Sequence, residues 1–529
     1  MRGWIPLVVG AAIWWLSGAP SASYPIVFKD VTREAGLAQP LSGMMGHCGA
    51  WGDLNADGVL DLYVGGFGDR PASEYRPAPG PVPNQLLLQK GGRFLAQPGG
   101  PASLLARSSS ALWVDLDNDG FQELYVSNNT KLKKKPRSQS DQKVAGEPSR
   151  LFQNRRGKLV DVSLESGACP ADLALARNVG VLDIDSDARL DLLVLEDVFS
   201  PKSRSRFFRN LGGLRFREAA GEAGLPGDLR GLGLAVGDVN GDDRADIFVA
   251  GDNRMFLSNG KGRYTEPAAL REQFRWKGSD KEDWPSGAAF GDLNRDGLLD
   301  LVLGIHHEPA RNRIFLHQGT SGGIPRFRDV TQLSGAPLQV PTKAPHVEIQ
   351  DFDNDGWPDI YYSCAWLQNG QVTPCILRNL GLKDGVPRFS LPQPIDATMV
   401  YYLGPTGDYD RDGRVDLMLV NWFPGRQSYL LRNQSPASNR WLQVEARGRR
   451  AVNRMGIGSK VSLRAVGSGK LLGYQEVTIG QGYSSGQEAV CHFGLGSQAE
   501  VDVSVRFPNG RVVEKKKVKA GQRLVVEEP

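Results

Sequence analysis

The sequence predicts an all-β protein, a seven-bladed β-propeller followed by a small C-terminal β-sandwich domain, and three observations carry that prediction. One acidic pattern, Asp-x-Asp/Asn-x-Asp-Gly-x-x-Asp, recurs seven times, its first residues 62, 68, 55, 54, 59 and 57 positions apart. The copies are flanked by short, β-rich apolar runs such as Ala111-Leu-Trp-Val and Leu124-Tyr-Val, not by helical stretches. After Trp441 the pattern stops and several segments alternate apolar with polar residues, as in a sheet with one wet face. A repeat of this length is one supersecondary unit that buries its apolar faces against its neighbours.

In chain order, Arg2, the apolar run Trp4–Leu16 and the small residues up to Ser23 read as a signal peptide over 1–23, leaving Tyr24 first. The apolar run is too short for a comfortable membrane span and no later segment is apolar enough to cross a bilayer. A secreted mature chain, extracellular or periplasmic and without a transmembrane segment, is expected. The propeller is assigned to 24–435 and the C-terminal β-domain to 436–529, joined through Asn433–Asn439.

The acidic copies are candidate metal loops. The first offers Asp53, Asn55, Asp57 and Asp61, the second Asp115, Asp117, Asp119 and Glu123, and the third Asp183, Asp185, Asp187 and Asp191. The fourth offers Asp238, Asn240, Asp242 and Asp246, and the fifth Asp292, Asn294, Asp296 and Asp300. The sixth offers Asp351, Asp353, Asp355 and Asp359, and the seventh Asp408, Asp410, Asp412 and Asp416. Oxygens at positions 1, 3, 5 and 9, with a backbone carbonyl near position 7, suit Ca²⁺, which takes about six to eight oxygens with loose angular demands. Up to seven Ca²⁺ are expected. Glycine at position 6 permits the left-handed turn in five copies; Ala188 in the third resists it and Asp243 in the fourth tolerates it better. An EF-hand is excluded, because position 12 of the first copy is Val64 and the flanks are strands. The bland alternative is seven solvated turns, which a common register throughout makes a poor account.

Between copies a second apolar line recurs, as in Arg150-Leu-Phe-Gln-Asn154, Arg206-Phe-Phe-Arg-Asn210 and Tyr429-Leu-Leu-Arg-Asn433, and then a third, as in Phe327-Arg-Asp-Val-Thr331. Four strands per unit make a blade. The last unit lacks its third line, which stands instead at Phe28-Lys-Asp-Val-Thr32, so the N-terminal strand is expected to complete the final blade.

The net charge of +4 hides a basic C-terminal region, 15 Lys/Arg against 8 Asp/Glu from Arg440 to Pro529, which favours anionic partners or is simply a solvated surface. The run Lys131-Leu-Lys-Lys-Lys-Pro-Arg137 reads as a loop. Of five cysteines, Cys364 and Cys375 could form a local disulfide, while Cys48, Cys169 and Cys491 read as buried thiols.

Four blocks after the propeller, Asn453-Arg-Met-Gly-Ile-Gly-Ser-Lys-Val461, Gly480-Gln-Gly-Tyr-Ser-Ser485, His492-Phe-Gly-Leu-Gly496 and Phe507-Pro-Asn-Gly510, join the acidic loops in a combination that resembles the FG-GAP/VCBS-repeat exported proteins ending in an ASPIC/UnbV domain, the group that includes cartilage acidic protein. Phe507 stands where that family usually has Trp. The repeats are similar to the integrin α-subunit propeller, where such loops hold Ca²⁺, which implies a ligand-binding or adhesive scaffold.

Catalysis has weaker support. His47, His346 and Cys48 lie near inner-strand candidates and could meet as a metal or redox site, while His306-His307 reads as loop decoration or edge packing. No nucleophile elbow, P-loop, Rossmann glycine pattern or HExxH occurs. Tyr483 either contacts a sugar or packs in a tight turn. The expected function is a non-catalytic binding or adhesion module for a protein or glycan, with no nucleic-acid partner. The alternative is an exported polysaccharide hydrolase or lyase acting at the channel mouth.

Overall fold

The computed structural model describes residues 26–129, 147–275, 285–305, 312–336, 346–368, 371–390, 393–394 and 402–529. The signal-peptide assignment, Lys131–Arg137 and His306–His307 lie outside these residues, as does the side chain of Cys364.

Each acidic loop joins the first two strands of a sheet, as the repeat predicts. Sheet 1 runs Gly46–Gly52, Asp61–Gly66, Gln85–Lys90 and Arg93–Ala96, and sheet 2 runs Ser108–Val114, Glu123–Asn128, Arg150–Asn154 and Leu159–Asp161. The same order holds for sheet 3 from Ala176–Leu182, sheet 4 from Gly231–Gly237 and sheet 5 from Pro285–Gly291; in sheet 6, from Val347–Gln350, a separate hairpin of Asn379–Lys383 and Val386–Phe389 precedes the fourth strand, Gln393–Pro394. Sheet 7 contains Thr406–Gly407, Asp416–Asn421 and Tyr429–Asn433, and its outer strand is Phe28–Asp30, Phe28 pairing with Asn433. The N-terminal strand therefore completes the last sheet, as the missing third line implied.

The first strands of sheets 1 to 6 pack side by side in succession, and Asp416–Asn421 of sheet 7 returns to Gly46–Gly52 of sheet 1. Such propeller-like stacking covers both faces of each sheet. That is why the first strands of sheets 1 to 5 are buried along their whole length and are rich in apolar and small residues, with His47, Arg177 and Asn178 as buried polar exceptions.

After Asn433 the chain forms two further sheets, one of Cys491–Gly496, Arg440–Arg447 and Gln522–Glu527, the other of Leu471–Glu476, Lys460–Ala465, Glu500–Arg506 and Val512–Lys519. Their apolar core, including Val444, Val461, Ile479 and Phe493, is continuous with that between sheets 2 and 3, where Leu112, Val179 and Val181 lie. The exposed edge strand Val512–Lys519 carries Lys515, Lys516 and Lys517, a charge pattern that discourages edge-to-edge pairing.

The segment Gly480–Gly486 leaves these sheets and enters the axis of the ring. Ser485 and Gly486 pair in parallel with Gly49 and Ala50 of sheet 1. Asn178 of sheet 3 donates to the Gly480 carbonyl (3.4 Å), and the Gly482 N–H reaches both Leu234 O of sheet 4 (3.1 Å) and Ala288 O of sheet 5 (2.8 Å). The Tyr483 N–H donates to His346 Nδ1 (2.9 Å), just before sheet 6. Gly482 has φ +81°, and a Cβ there would lie 2.5 Å from the His346 ring, so only glycine fits. The packing expected of Tyr483 is met, but the segment is an axial plug and not an isolated tight turn. The sugar-contact reading of Tyr483 is corrected too, because Tyr483 is buried and its hydroxyl accepts from Arg177 (3.3 Å).

Candidate metal-binding loops

The seven loops share one hydrogen-bond scheme. The first-position carboxylate accepts the N–H groups of positions 5 and 6: Asp53 from Asp57 and Gly58, and likewise Asp115, Asp183, Asp238, Asp292, Asp351 and Asp408. The fifth-position carboxylate accepts the N–H of position 7 in every loop, from Asp57 to Asp412. The ninth-position acid opens the second strand and accepts one N–H from loop position 2 and one from the third strand. Asp61 does so with Leu54 and Gln89, Glu123 with Leu116 and Asn154, Asp191 with Ile184 and Asn210, and Asp246 with Val239 and Ser258. Asp300, Asp359 and Asp416 repeat it with Leu293 and His317, Phe352 and Asn379, and Tyr409 and Asn433.

Position 6 has positive φ throughout, including Ala188 (68°) and Asp243 (67°). The resistance expected of Ala188 is overridden by the two hydrogen bonds to Asp183, and the third loop keeps its shape. Position 4 is also left-handed, from Ala56 (58°) to Arg411 (60°), which the sequence reading missed.

Several buried acidic clusters could hold metal ions. Ligand oxygens of Asp115, Asp117 and Glu123 lie within 4.8 Å of one another, as do those of Asp183, Asp185 and Asp187, of Asp351, Asp353 and Asp355, and of Asp408, Asp410 and Asp416. Loops 1, 4 and 5 carry an amide at position 3 and so present fewer carboxylates. Burial beside like charges pushes these carboxyls up: Asp115 and Asp292 to about 7, Asp191 to about 8, and Glu123 to about 9. The donor set fits a hard cation: oxygen-only, several carboxylates, and one buried oxygen, Asp410 Oδ1, left without a hydrogen-bond partner inside its cluster.

Six of the loops are stitched to the next sheet through the polar residue whose N–H bonds that sheet's ninth-position acid. Asn154 donates to Leu54 O (2.8 Å), Asn210 to Leu116 O (2.8 Å), Asn379 to Leu293 O (3.0 Å) and Asn433 to Phe352 O (2.8 Å). His317 Nε2 meets Val239 O (2.9 Å), and Gln89 joins Tyr409 O (3.1 Å), linking sheet 1 to sheet 7. The recurring Asn was visible in the sequence, but not its partner.

The C-terminal sheets sit on this loop face. Met455 Sδ accepts from Asp115 N, the Arg454 N–H donates to Asn118 Oδ1 (2.8 Å), and Gln443 donates to Asp408 Oδ2 (2.7 Å). His492 Nε2 donates to Asn354 Oδ1 (2.8 Å). Lys460 pairs with Asp238 and Asp243, and Arg506 also pairs with Asp243, so the fourth loop carries ammonium and guanidinium partners.

The histidine and cysteine reading is corrected. His346 uses both ring nitrogens, on Tyr483 N and Glu348 (2.7 Å), and His47 Nδ1 meets Ser109 O (3.2 Å). Both flank Tyr483, while Cys48 packs with Tyr63 and Trp113 between sheets 1 and 2, its thiol pushed up to about 12 by burial. The disulfide expectation is corrected as well: Cys375 is a buried free thiol paired across strands with Tyr362.

Residues 53–126, 183–249 and 244–303 match the FG-GAP-like repeat, and residues 449–529 match the ASPIC and UnbV domain. The chain is 26% identical over 483 residues to cartilage acidic protein 1 of Mus musculus, covering 87% of this chain and 70% of the relative. It is 26% identical over 497 residues to cartilage acidic protein 1 of Homo sapiens, covering 90% and 70%. An Agrocybe aegerita lectin structure, titled for recognition of non-reducing terminal N-acetylglucosamine, aligns at 15% identity with a TM-score of 0.39 over 66% of this chain and 81% of the lectin, too slight to bear on fold or ligand. The chain is thus built of FG-GAP-like repeats followed by an ASPIC and UnbV domain, and it is a homologue of cartilage acidic protein 1.

Proposed function

We infer that this is an exported, calcium-stabilised seven-bladed propeller over 24–435 with a C-terminal β-domain over 436–529, acting as a non-catalytic binding module for a protein or glycan. The loops supply oxygen ligands from Asp53 to Asp416, up to seven Ca²⁺ in all, and each ion rigidifies a hairpin tip. The observation that carries the metal reading is the cluster of Asp408, Asp410 and Asp416 with its partnerless Asp410 Oδ1. Homology to cartilage acidic protein 1 supports the binding-module reading.

The loop face is taken by the C-terminal sheets and the axis by Gly480–Gly486, so a ligand is expected on the opposite face. Calorimetry with and without chelator tests the metal. At a hundredfold excess of Ca²⁺ over Kd each filled site stabilises by about 2.7 kcal/mol, so the melting temperature falls on chelation; equal melting temperatures count against the metal. A glycan and envelope-protein array at millimolar Ca²⁺, read for both capture and turnover, separates binding from hydrolysis.

A further inference from the structure

Within this one chain, the third loop position and the residue just before the one whose N–H bonds the ninth-position acid change together. Loops 1, 4 and 5 have Asn55, Asn240 and Asn294, and their third strands carry Leu88, Leu257 and Leu316 at the matching place. Loops 2, 3, 6 and 7 have Asp117, Asp185, Asp353 and Asp410, and there the matching residues are Gln153, Arg209, Arg378 and Arg432. The register is fixed by the next residue in each strand, whose N–H binds the ninth-position acid, from Gln89 in sheet 1 to Asn433 in sheet 7.

The contacts explain the pairing. Arg209 Nη1 lies 3.0 Å from Asp185 Oδ2, and Arg432 Nε lies 2.6 Å from Asp410 Oδ2 while its Nη2 reaches Asp412 (3.0 Å). Arg378 likewise bridges Asp353 and Asp355 (2.7 Å to the latter), while Gln153 of sheet 2 brings no charge to Asp117. In the Asn loops the amide itself donates to the fifth-position carboxylate: Asn55 to Asp57 (2.9 Å), Asn240 to Asp242 (3.2 Å) and Asn294 to Asp296 (2.8 Å). Arginines at position 7, Arg189, Arg244 and Arg414, bond the fifth-position acid in loops of both kinds and do not follow the third position.

We propose that the third-strand residue sets the charge state of each loop: Arg209, Arg378 and Arg432 are built-in counter-ions to an extra third-position carboxylate, and Asn with Leu is the uncharged equivalent. Resting on the calcium reading above, this gives both kinds the same ligand-set charge when filled. Three carboxylates against a divalent cation leave one negative charge, and four against the cation and a guanidinium leave the same. Loop 2, with Gln153, retains one more, and loop 4, where Lys460 of the C-terminal sheets pairs with Asp238, retains one less.

The test is a double-mutant cycle in loop 7 of the full chain, read as melting temperature after metal removal and again with Ca²⁺. Arg432→Leu is expected to lower the metal-free melting temperature by several degrees and to enlarge the rise on adding Ca²⁺, because the ion then supplies the missing charge. Adding Asp410→Asn to it restores both values to near wild type. Additive effects, or an Arg432→Leu protein that melts like wild type without metal, overturn the proposal. Should Arg432→Leu not fold, Asn294→Asp with and without Leu316→Arg runs the cycle in reverse: the single variant loses stability and the pair regains it, and additivity again overturns it. If wild type ignores Ca²⁺, the calcium reading falls, while the metal-free cycle still decides whether carboxylate and guanidinium are coupled.

Discussion

Asp416 shows what one residue contributes. Fully buried, it accepts Tyr409 N–H on Oδ2 (3.2 Å) and Asn433 N–H on Oδ1 (2.7 Å), which ties the seventh loop to the first residue beyond its third-strand arginine. Asp416→Asn turns one acceptor into a donor facing a backbone N–H, and an unmet buried group costs about 2 kcal/mol. Urea denaturation of the metal-free variant is expected to show that loss, together with the loss of one Ca²⁺ by titration. An Asn variant as stable as wild type would mean that these bonds are not holding the loop. The acids at positions 1, 5 and 9 were legible in the sequence because each serves its own loop. Position 4 was not, because Ala56, Asn118, Ser186, Gly241, Arg295, Asn354 and Arg411 share a left-handed backbone and no side-chain type.

Between elements, the stitches make the ring more than a stack of apolar faces. Gln89 donates to Leu60 O (2.8 Å) within its own sheet and to Tyr409 O (3.1 Å) in sheet 7, 320 residues away in sequence. Gln89→Ala leaves both carbonyls unmet by that side chain, and a loss of about 1–3 kcal/mol is expected. Because the bond lies at the seam where sheet 1 meets sheet 7, hydrogen exchange should quicken in both sheets. Exchange confined to sheet 1 would mean that the seam is held by packing alone. The N-terminal strand of sheet 7 was readable from a missing line in the last repeat. The stitching role of Asn154, Asn210, Asn379 and Asn433 was not, because each partner carbonyl belongs to the preceding sheet.

Across the whole molecule, the plug and the acidic face govern stability. Gly482→Ala places a methyl group against the His346 ring and Val347 O at a positive φ, and a cost above about 2 kcal/mol is expected. Limited proteolysis should then cut near Gly480–Gly486; an uncut variant with wild-type melting would contradict the axial packing. Charge sets the response to pH. Asp61, Asp183 and Asp408 are pushed up to about 6, Asp115 and Asp292 to about 7 and Asp191 to about 8, in each case mainly by burial, whereas unfolded Asp titrates near about 3.9. A raised carboxyl binds its proton more tightly in the folded chain. Its contribution is therefore full below about pH 4 and is lost as pH rises through about 6 to 8. Metal-free protein is expected to melt lower at pH 8 than at pH 5, and Ca²⁺ to abolish most of that decline, as scanning calorimetry at the two pH values can check.

The repeat, its acidic loops and the strand that completes sheet 7 are legible in the chain, because they depend on residues close together and on a pattern copied seven times. Only the assembled fold shows that Gly480–Gly486 fills the axis, that the C-terminal sheets sit on the loop face, and that Tyr483 packs against His47 and bonds His346. Those outcomes depend on which surfaces remain once the ring has formed. A segment of glycine, serine and one tyrosine carries no local pattern that says where such a gap will lie.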